Sequence, residues 1–269
     1  MVNYGLMREK IQLSVIIASY NSGNLIERCL ESLENQNTDR PFEVVVVDSS
    51  SNRMATLIKN RFADVRLYHF PKRKFPGDAR NFGLSVAEGE IIAFIDADCR
   101  ADQNWANQIF KAHQSSHLAI GGAIGNANPQ SMIGWAAYFC EFSQWMPNTP
   151  SKPLRDIAEA NMSYKKRVFE EYGGFIEGTY SSDTEFHWRL GKNGHVLRFV
   201  PSILVLHHSI NQFGRFLRHE FEHGRSFARV RIDFQNFSEL RRWIYTTFSF
   251  LGKKATSSIA TPKAIPPRT

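Results

Sequence analysis

The 269 residues are enough for one large domain with a substantial buried core. Hydrophobic residues make up 42% and aromatic residues 13%, which excludes a disordered chain, and no apolar run reaches the roughly 18 residues of a membrane span. The net charge of +7 favours an anionic partner. No helix-turn-helix, zinc-finger or RNP-like pattern accompanies this charge, so we expect no nucleic-acid partner.

The first residues and the cysteines favour a cytoplasmic protein. The start of the chain lacks the apolar segment and small-residue cleavage site of a signal peptide. Cys29, Cys99 and Cys140 are widely spaced and form no CxxC pair, so neither a disulfide framework nor a structural zinc site is expected.

Four short apolar runs alternate with three amphipathic helical patterns in the first hundred residues. The runs, rich in β-branched residues, are 13–17, 42–47, 65–68 and 91–95, and the helical stripes lie within 25–33, 54–62 and 79–86. Repeated β-α-β order predicts an α/β fold with a mostly parallel, Rossmann-like central sheet covered by helices on both faces.

Polar residues follow three of these predicted strands. They are residues 18–21, 48–51 and 96–98. Ligands of such sheets bind at the carboxyl ends of the strands, so we expect the three segments to face one crevice.

Two aspartates, Asp96 and Asp98, end the fourth apolar run. Side chains at i and i+2 of a strand point to the same face, so both carboxylates could converge if the strand continues through them. Hard oxygen ligands suit Mg²⁺ or Mn²⁺. The alternative is that the Asp-Ala-Asp segment caps the next helix.

The second half is less regular. Glycines and a proline predict a turn-rich crossing over residues 121–129, and the aromatic stretch 135–145 is either core or a wall facing an acceptor. Residues 165–172 and 183–190 read as helices ended by glycines, residues 196–200 and 203–206 as strands, and residues 213–231 as a basic helix.

Six segments occur in a recognisable order and spacing. They are LSVIIASYN at 13–21, VVVVD at 44–48, GDARNFG at 77–83, FIDAD at 94–98, GGF at 173–175 and SDTEFHWRL at 182–190. Together they resemble the family 2 glycosyltransferases of the GT-A fold, over roughly residues 11–230. The resemblance implies an inverting transferase that uses a nucleotide-diphosphate sugar and a divalent metal, Mn²⁺ or Mg²⁺.

The resemblance also implies how the donor is held. The residues at the end of the first strand frame the base, Asp48 accepts from the nucleobase imide, and Arg80 reaches toward the base or diphosphate. Asp96 lies toward the ribose and the metal shell, and Asp98 holds the metal. The alternatives are a helix cap for Asp48 and an exposed helical charge for Arg80. The implied nucleotide-sugar-binding residues are Ala18, Ser19, Tyr20, Asp48, Arg80, Asp96, Ala97 and Asp98.

Inversion by a single displacement needs a base that deprotonates the acceptor hydroxyl. The resemblance makes Asp183 that catalytic base. It usually sits in an acidic pair, whereas Ser182 precedes it here. Asp183 could equally cap the helix that follows, and Glu185 is the second candidate for the base.

Relatives carry a metal-completing histidine near the position of His207 and His208, and His207 gives the better match. Imidazole would add a softer ligand and favour Mn²⁺. The alternative is a structural histidine.

We expect three regions along the chain. They are a leader at 1–10, a GT-A domain at 11–231 with a nucleotide-sugar-binding half at 11–100 and an acceptor half at 101–231, and a basic amphipathic segment with a flexible tail at 232–269. Residues 234–254 fit an amphipathic helix that either lies on the anionic inner face of a membrane or docks on the domain or another subunit.

The predicted function is transfer of a sugar from a nucleotide-diphosphate donor, expected to be a UDP-sugar. The acceptor is a hydroxyl of a glycan, a lipid-linked saccharide or a small molecule, in polysaccharide, cell-surface glycan or glycolipid synthesis. The alternatives are a polyprenyl-phosphate sugar synthase and a catalytically silent nucleotide-sugar-binding protein.

Overall fold

The computed structural model describes residues 10–235. Its strands are β1 Leu13–Ser19, β2 Phe42–Asp48, β3 Arg66–His69, β4 Ile91–Ile95, β5 Cys99–Ala101, β6 Ala119–Asn126, β7 Pro153–Leu154, β8 Asn161–Lys165 and β9 Leu197–His207. Its helices are α1 Leu25–Glu34, α2 Asn52–Arg61, α3 Pro76–Val86, α4 Trp105–Ala112, α5 Met132–Phe142, α6 Arg167–Tyr172, α7 Ser182–Lys192 and α8 Phe213–Gln235. The predicted strands and helices of the first hundred residues are confirmed.

One mixed sheet carries the fold, in the order β3-β2-β1-β4-β8-β6-β9-β5, with β7 paired to β9. The first four strands are mutually parallel, whereas β8 runs antiparallel to both β4 and β6. The predicted α/β, Rossmann-like sheet is confirmed. The parallel register aligns Ser19 with Asp48, and Asp48 with His69, at the carboxyl ends of β1, β2 and β3.

Alternation along β1 explains why helices cover both faces of the sheet. Val15 and Ile17 pack in one hydrophobic cluster with Leu30 of α1, while Ile16 packs in the other with Ala79 of α3. Because both faces are buried, β1 is almost continuously apolar. The two clusters hold the strand ends in fixed relative positions.

The prediction of a turn-rich crossing at residues 121–129 is wrong for its first part, because residues 119–126 form the buried strand β6. A Cβ on Gly122 would lie 2.2 Å from the Ile203 carbonyl oxygen, and one on Gly121 would lie 2.4 Å from Ile157. These glycines therefore permit close packing of neighbouring segments of the chain, and they do not mark turns.

The two strands predicted at 196–200 and 203–206 form one strand, β9, that contains Pro201. The register with β6 shifts between Gly122 and Ala123, opposite this part of β9. Proline has no N–H to donate, which accounts for a local irregularity without ending the strand.

The chain divides into two compact units, residues 1–216 and 217–269. The first contains the sheet, and the described part of the second, residues 217–235, is helical. No helix within residues 10–235 has the length and apolar character needed to cross a bilayer. The predicted leader lies outside the described residues except for Lys10. The predicted amphipathic segment lies outside them from residue 236 onward, and the predicted domain boundaries stay predictions.

Candidate active site

The two aspartates after β4 lie in a turn. β4 ends at Ile95, and the amide of Cys99 donates to the carbonyl of Asp96 at 3.0 Å, which closes the turn into β5. The strand therefore does not continue through Asp96 and Asp98, and the condition on which both carboxylates would converge is not met. Ala97 is buried, Asp96 contacts Arg80, and Asp98 lies beside His207.

Asp98 and His207 come together because β5 pairs with β9, which places Cys99 opposite His207 in register. Nε2 of His207 lies 3.4 Å from Oδ1 of Asp98. That oxygen is buried and accepts no hydrogen bond from residues 10–235, although the Asp98 side chain as a whole is 36% exposed. An unpaired buried carboxylate oxygen facing an imidazole nitrogen suits a divalent cation.

Two contacts fix the orientation of the His207 ring. Its Nδ1 lies 3.3 Å from the Ser209 hydroxyl, and the ring packs edge-on against Phe142 with centroids 4.6 Å apart. The neighbouring His208 uses its backbone amide to donate to the carbonyl of Asp98 at 3.0 Å. Among the described residues, a potential ligand cluster contains Asp98, Cys99 and His207 but not His208. Burial raises the pKa of the Cys99 thiol well above its usual value.

Arg80 lies at the centre of an acidic cluster, and its interpretation as an exposed helical charge is wrong because it is 2% exposed. Its Nη1 donates to Oε2 of Glu159 at 2.9 Å, and its Nη2 donates to Oδ1 of Asp96 at 3.1 Å. Burial opposes the charge, but Glu159, Asp96 and Asp183 raise the pKa of Arg80. Sequence reasoning missed Glu159, because no local pattern links it to Arg80 across 79 positions.

Asp183 lies in the first turn of α7 and is buried. It is not the capping residue, since the N-cap is Ser181, whose φ of 60° lies in the left-handed region. Burial raises the pKa of Asp183 to about 7; Glu159 and Asp156 add to the rise, while His187 and Arg80 oppose it. A carboxylate that titrates near neutrality suits a general base.

A buried hydrogen-bond network supports the helix that carries Asp183. Asp156 contacts Nδ1 of His187 at 2.5 Å and accepts from the Thr184 hydroxyl at 3.1 Å. Nε2 of His187 lies 2.6 Å from the hydroxyl of Tyr164 in β8. Sequence reasoning assigned no role to these four residues. The network fixes one face of α7 against the sheet.

The second candidate for the base, Glu185, is engaged in a different contact. Its carboxylate accepts from the guanidinium of Arg189, one helical turn further along α7, at 2.7 Å. A carboxylate held by a guanidinium is less available to contact an acceptor hydroxyl. The geometry therefore favours Asp183 over Glu185.

Asp48 is fully buried and occupied by protein donors. Its Oδ1 accepts from Ser19 at 2.9 Å and from the Ser50 hydroxyl at 2.7 Å, and Oδ2 lies 2.9 Å from Nδ1 of His69. The N-cap of α2 is Ser51, so the helix-cap alternative for Asp48 is wrong. The contact of Asp48 with a nucleobase stays a prediction, and a base could reach it only by displacing one of these donors.

The end of β1 presents Tyr20 to solvent, with 45% of its surface exposed, next to half-buried Ala18. The guanidinium of Arg73 lies 4.6 Å over the Tyr20 ring, and it also contacts the hydroxyl of Tyr180, shortly before α7. A cavity of about 350 Å³ lies beside Arg73, lined mainly by the loop between β3 and α3. The ring of Tyr20 is thus accessible, with a cation above it.

Comparison with known proteins places this geometry in a family. Residues 14–173 match the family described as Glycosyl transferase family 2. The chain is 26% identical over 249 residues to the glycosyltransferase AglE of Haloferax volcanii, covering 88% of this chain and 81% of AglE. It spans less than two thirds of several other curated relatives, with 47% of two of them covered.

Two solved structures share the fold. TarS of S. aureus, residues 1–349 in complex with UDP-GlcNAc, gives a TM-score of 0.64 at 17% identity and covers 86% of this chain and 69% of TarS. The mannosyltransferase PcManGT of Pyrobaculum calidifontis, in complex with GDP-Man and Mn²⁺, gives 0.65 at 17% identity, covering 90% of this chain and 70% of PcManGT. The family match extends over more than half of the sequence, and the chain belongs to glycosyl transferase family 2.

Proposed function

We propose that this family 2 glycosyltransferase moves a sugar from a nucleoside-diphosphate donor to an acceptor hydroxyl with inversion, using Asp183 as the base and a divalent metal held by Asp98 and His207. The observation that carries the proposal is the presence of two distinct carboxylate sites on either side of Arg80, which bonds Asp96 and acts electrostatically on Asp183. One is a buried carboxylate oxygen of Asp98 that accepts no hydrogen bond from the described residues and faces an imidazole. The other is a buried aspartate with a near-neutral pKa.

Asp98 and His207 are the residues that would hold the metal, with Mn²⁺ or Mg²⁺ as the ion. When bound, such an ion neutralises the charge that develops on the diphosphate leaving group. The mixed oxygen and nitrogen donors favour Mn²⁺ over Mg²⁺. PcManGT was solved with Mn²⁺, which supports the same choice here.

The donor is proposed to be a UDP-sugar. TarS was solved with UDP-GlcNAc and PcManGT with GDP-Man, so both pyrimidine and purine donors occur among proteins of this fold. The exposed ring of Tyr20 offers a stacking surface for the base. Asp48 is proposed to accept from an imide N–H after one of its present donors is displaced. Asp96, fixed by Arg80, is proposed to face the ribose and the metal shell.

Asp183 is proposed to remove the proton of the acceptor hydroxyl as the bond to the sugar forms. Its near-neutral pKa matches the requirement that a base be deprotonated yet able to take up a proton at physiological pH. A base at Asp183 supports a hydroxyl acceptor over a polyprenyl-phosphate acceptor, because a phosphate is already an anion and needs no base. It also argues against a catalytically silent binder.

The test is transfer itself. The protein is incubated with UDP- and GDP-sugars, Mn²⁺ and a panel of glycan, lipid-linked and small hydroxyl acceptors, and the anomeric configuration of the product is read by NMR. A product with the opposite configuration to the donor supports the proposal. A product of retained configuration, or faster transfer to polyprenyl phosphate than to any hydroxyl, would contradict it.

A further inference from the structure

Arg80 holds two carboxylates that come from different segments of the chain. Asp96 follows β4, and Glu159 lies in the segment between β7 and β8. Both bonds are of ordinary length, 3.1 Å and 2.9 Å, and the guanidinium is 2% exposed. A buried cation needs such compensation, because removing it from water costs several kcal/mol.

Glu159 supplies a second negative charge near Asp183, where Ser182 stands in place of the usual acidic neighbour. Ser182 is buried, and its hydroxyl has no hydrogen-bond partner among residues 10–235. A Cβ on Gly77 would lie 2.9 Å from this hydroxyl, so Ser182 packs tightly against α3. A longer acidic side chain would have no room there. The second carboxylate near Asp183 comes instead from another part of the chain.

The charged and titratable groups around Asp183 come from four elements. Arg80 lies in α3, Glu159 and Asp156 lie between β7 and β8, Tyr164 lies in β8, and His187 lies on α7 itself. Glu159 and Asp156 disfavour the charged form of Asp183, while His187 and Arg80 favour it. Asp156 is engaged by His187 and Thr184, and Glu159 is engaged by Arg80.

We propose that Glu159 is a positioning residue of this site, which fixes Arg80 between two carboxylates and keeps a negative charge beside Asp183. It acts through Arg80 and Asp183 and not on the substrate. With Glu159 present, Arg80 is shared and Asp183 keeps its proton up to neutral pH. Without that charge, Arg80 is freer to stabilise the ionised form of Asp183. The inference rests on the proposed function of Asp183 as the base.

The test uses the full chain and three variants: Glu159→Gln removes the charge with little change in shape, Glu159→Asp keeps it, and Glu90→Gln is the matched control. Glu90 is exposed and pairs with Lys10, at the amino end of β4. Release of UDP from the best UDP-sugar is measured against pH. We expect the rise of UDP release with pH, the acid limb of the profile, to move to lower pH by about one unit for Glu159→Gln. This is the lower end of the pKa shift that a neighbouring charge produces.

The Glu159→Asp variant should stay close to the parent profile, and Glu90→Gln should coincide with it. If Glu159→Gln also coincides with the parent while the parent shows an acid limb, Glu159 does not have this role, although the proposed function stands.

A double-mutant thermodynamic cycle tests the effect of Glu159 on Asp183 without a measurement of activity. Asp183→Asn is made in the parent and in Glu159→Gln, and unfolding free energies are measured at about pH 5 and about pH 8. The effect of Asp183→Asn should depend less on pH in the Glu159→Gln background; an equal dependence would overturn the inference. If the parent releases no UDP or GDP from any donor, the proposed function fails while the cycle still tests Glu159.

Discussion

Oδ1 of Asp48 accepts a hydrogen bond of 2.9 Å from the hydroxyl of Ser19, its partner in register on the adjacent parallel strand. The same carboxylate accepts from Ser50 and lies 2.9 Å from His69. One buried side chain thus joins the ends of β1, β2 and β3, which is the edge of the sheet proposed to receive the nucleotide.

Replacing Asp48 by alanine should therefore destabilise the protein. The substitution leaves the buried Ser19 hydroxyl and the partly exposed Ser50 and His69 without their acceptor. A buried unsatisfied group costs about 1–3 kcal/mol, and the partly exposed groups cost less because water can reach them. Urea denaturation measures the loss, with Asp64→Ala, an exposed position on the loop after α2, as the control. A midpoint for Asp48→Ala equal to that of the control would show that Asp48 has no structural role.

Asp98→Asn should abolish metal-dependent nucleotide binding and leave cooperative unfolding intact. The variant removes the charge of the buried oxygen that faces His207. Calorimetry with UDP and Mn²⁺ measures the binding, and Asp102→Asn, an exposed residue four positions further along the chain, is the matched control. Parent-like binding by Asp98→Asn would show that the metal is held elsewhere.

Asp183→Asn should keep donor binding and lower transfer, since a positioned base typically contributes about 10²–10⁴-fold. Donor affinity is measured by calorimetry and transfer by nucleotide release. The companion variant Glu185→Gln should retain more activity, because Glu185 is already paired with Arg189. A larger loss in Glu185→Gln than in Asp183→Asn would reverse the assignment of the base.

The raised pKa of Asp183 predicts opposite pH trends for activity and stability. As a base it must be deprotonated, so the rate should rise as pH increases through about 7. Folding favours the protonated form, so its contribution to stability is full below the ordinary aspartate range and is lost as pH rises through about 7. Asp183→Asn should therefore unfold with a flatter pH dependence than the parent, measured by urea denaturation across this range. Parallel curves for the two proteins would exclude a shifted pKa.

A pair of glycine substitutions tests the packing of β6. Gly122→Ala should destabilise the protein by about 1–3 kcal/mol, the usual cost of overpacking, because the new Cβ would meet the Ile203 carbonyl at 2.2 Å. Gly191→Ala should instead stabilise by about 0.5–1 kcal/mol, since this position in α7 has open space. The two melting curves should shift in opposite directions, and a neutral Gly122→Ala would contradict the close approach of β9.

The sequence predicted those features whose cause is local. The apolar run 91–95 is predicted to be a strand from its own composition and from the repeated β-α-β order around it, and it forms β4. The polar residues that follow it fall at the carboxyl edge of the sheet. The contacts of Asp96 with Arg80 and of Asp98 with His207 depend on a turn and on partners far along the chain. The prediction of turns at the glycines of β6 is wrong because Gly121 and Gly122 are required by close contacts with Ile157 and Ile203, which are distant in sequence. Glu159 and the pair Asp156 and His187 were missed for the same reason, since tertiary contacts alone bring them to Asp183.

The central claim is tested most directly by release of UDP or GDP from a panel of sugar nucleotides, with Mn²⁺ and with the metal chelated, for the parent and for Asp98→Asn. The account predicts metal-dependent release by the parent from at least one donor, accelerated by a hydroxyl acceptor, and a loss of that release in Asp98→Asn. Release that is unaffected by chelation and by Asp98→Asn would contradict it.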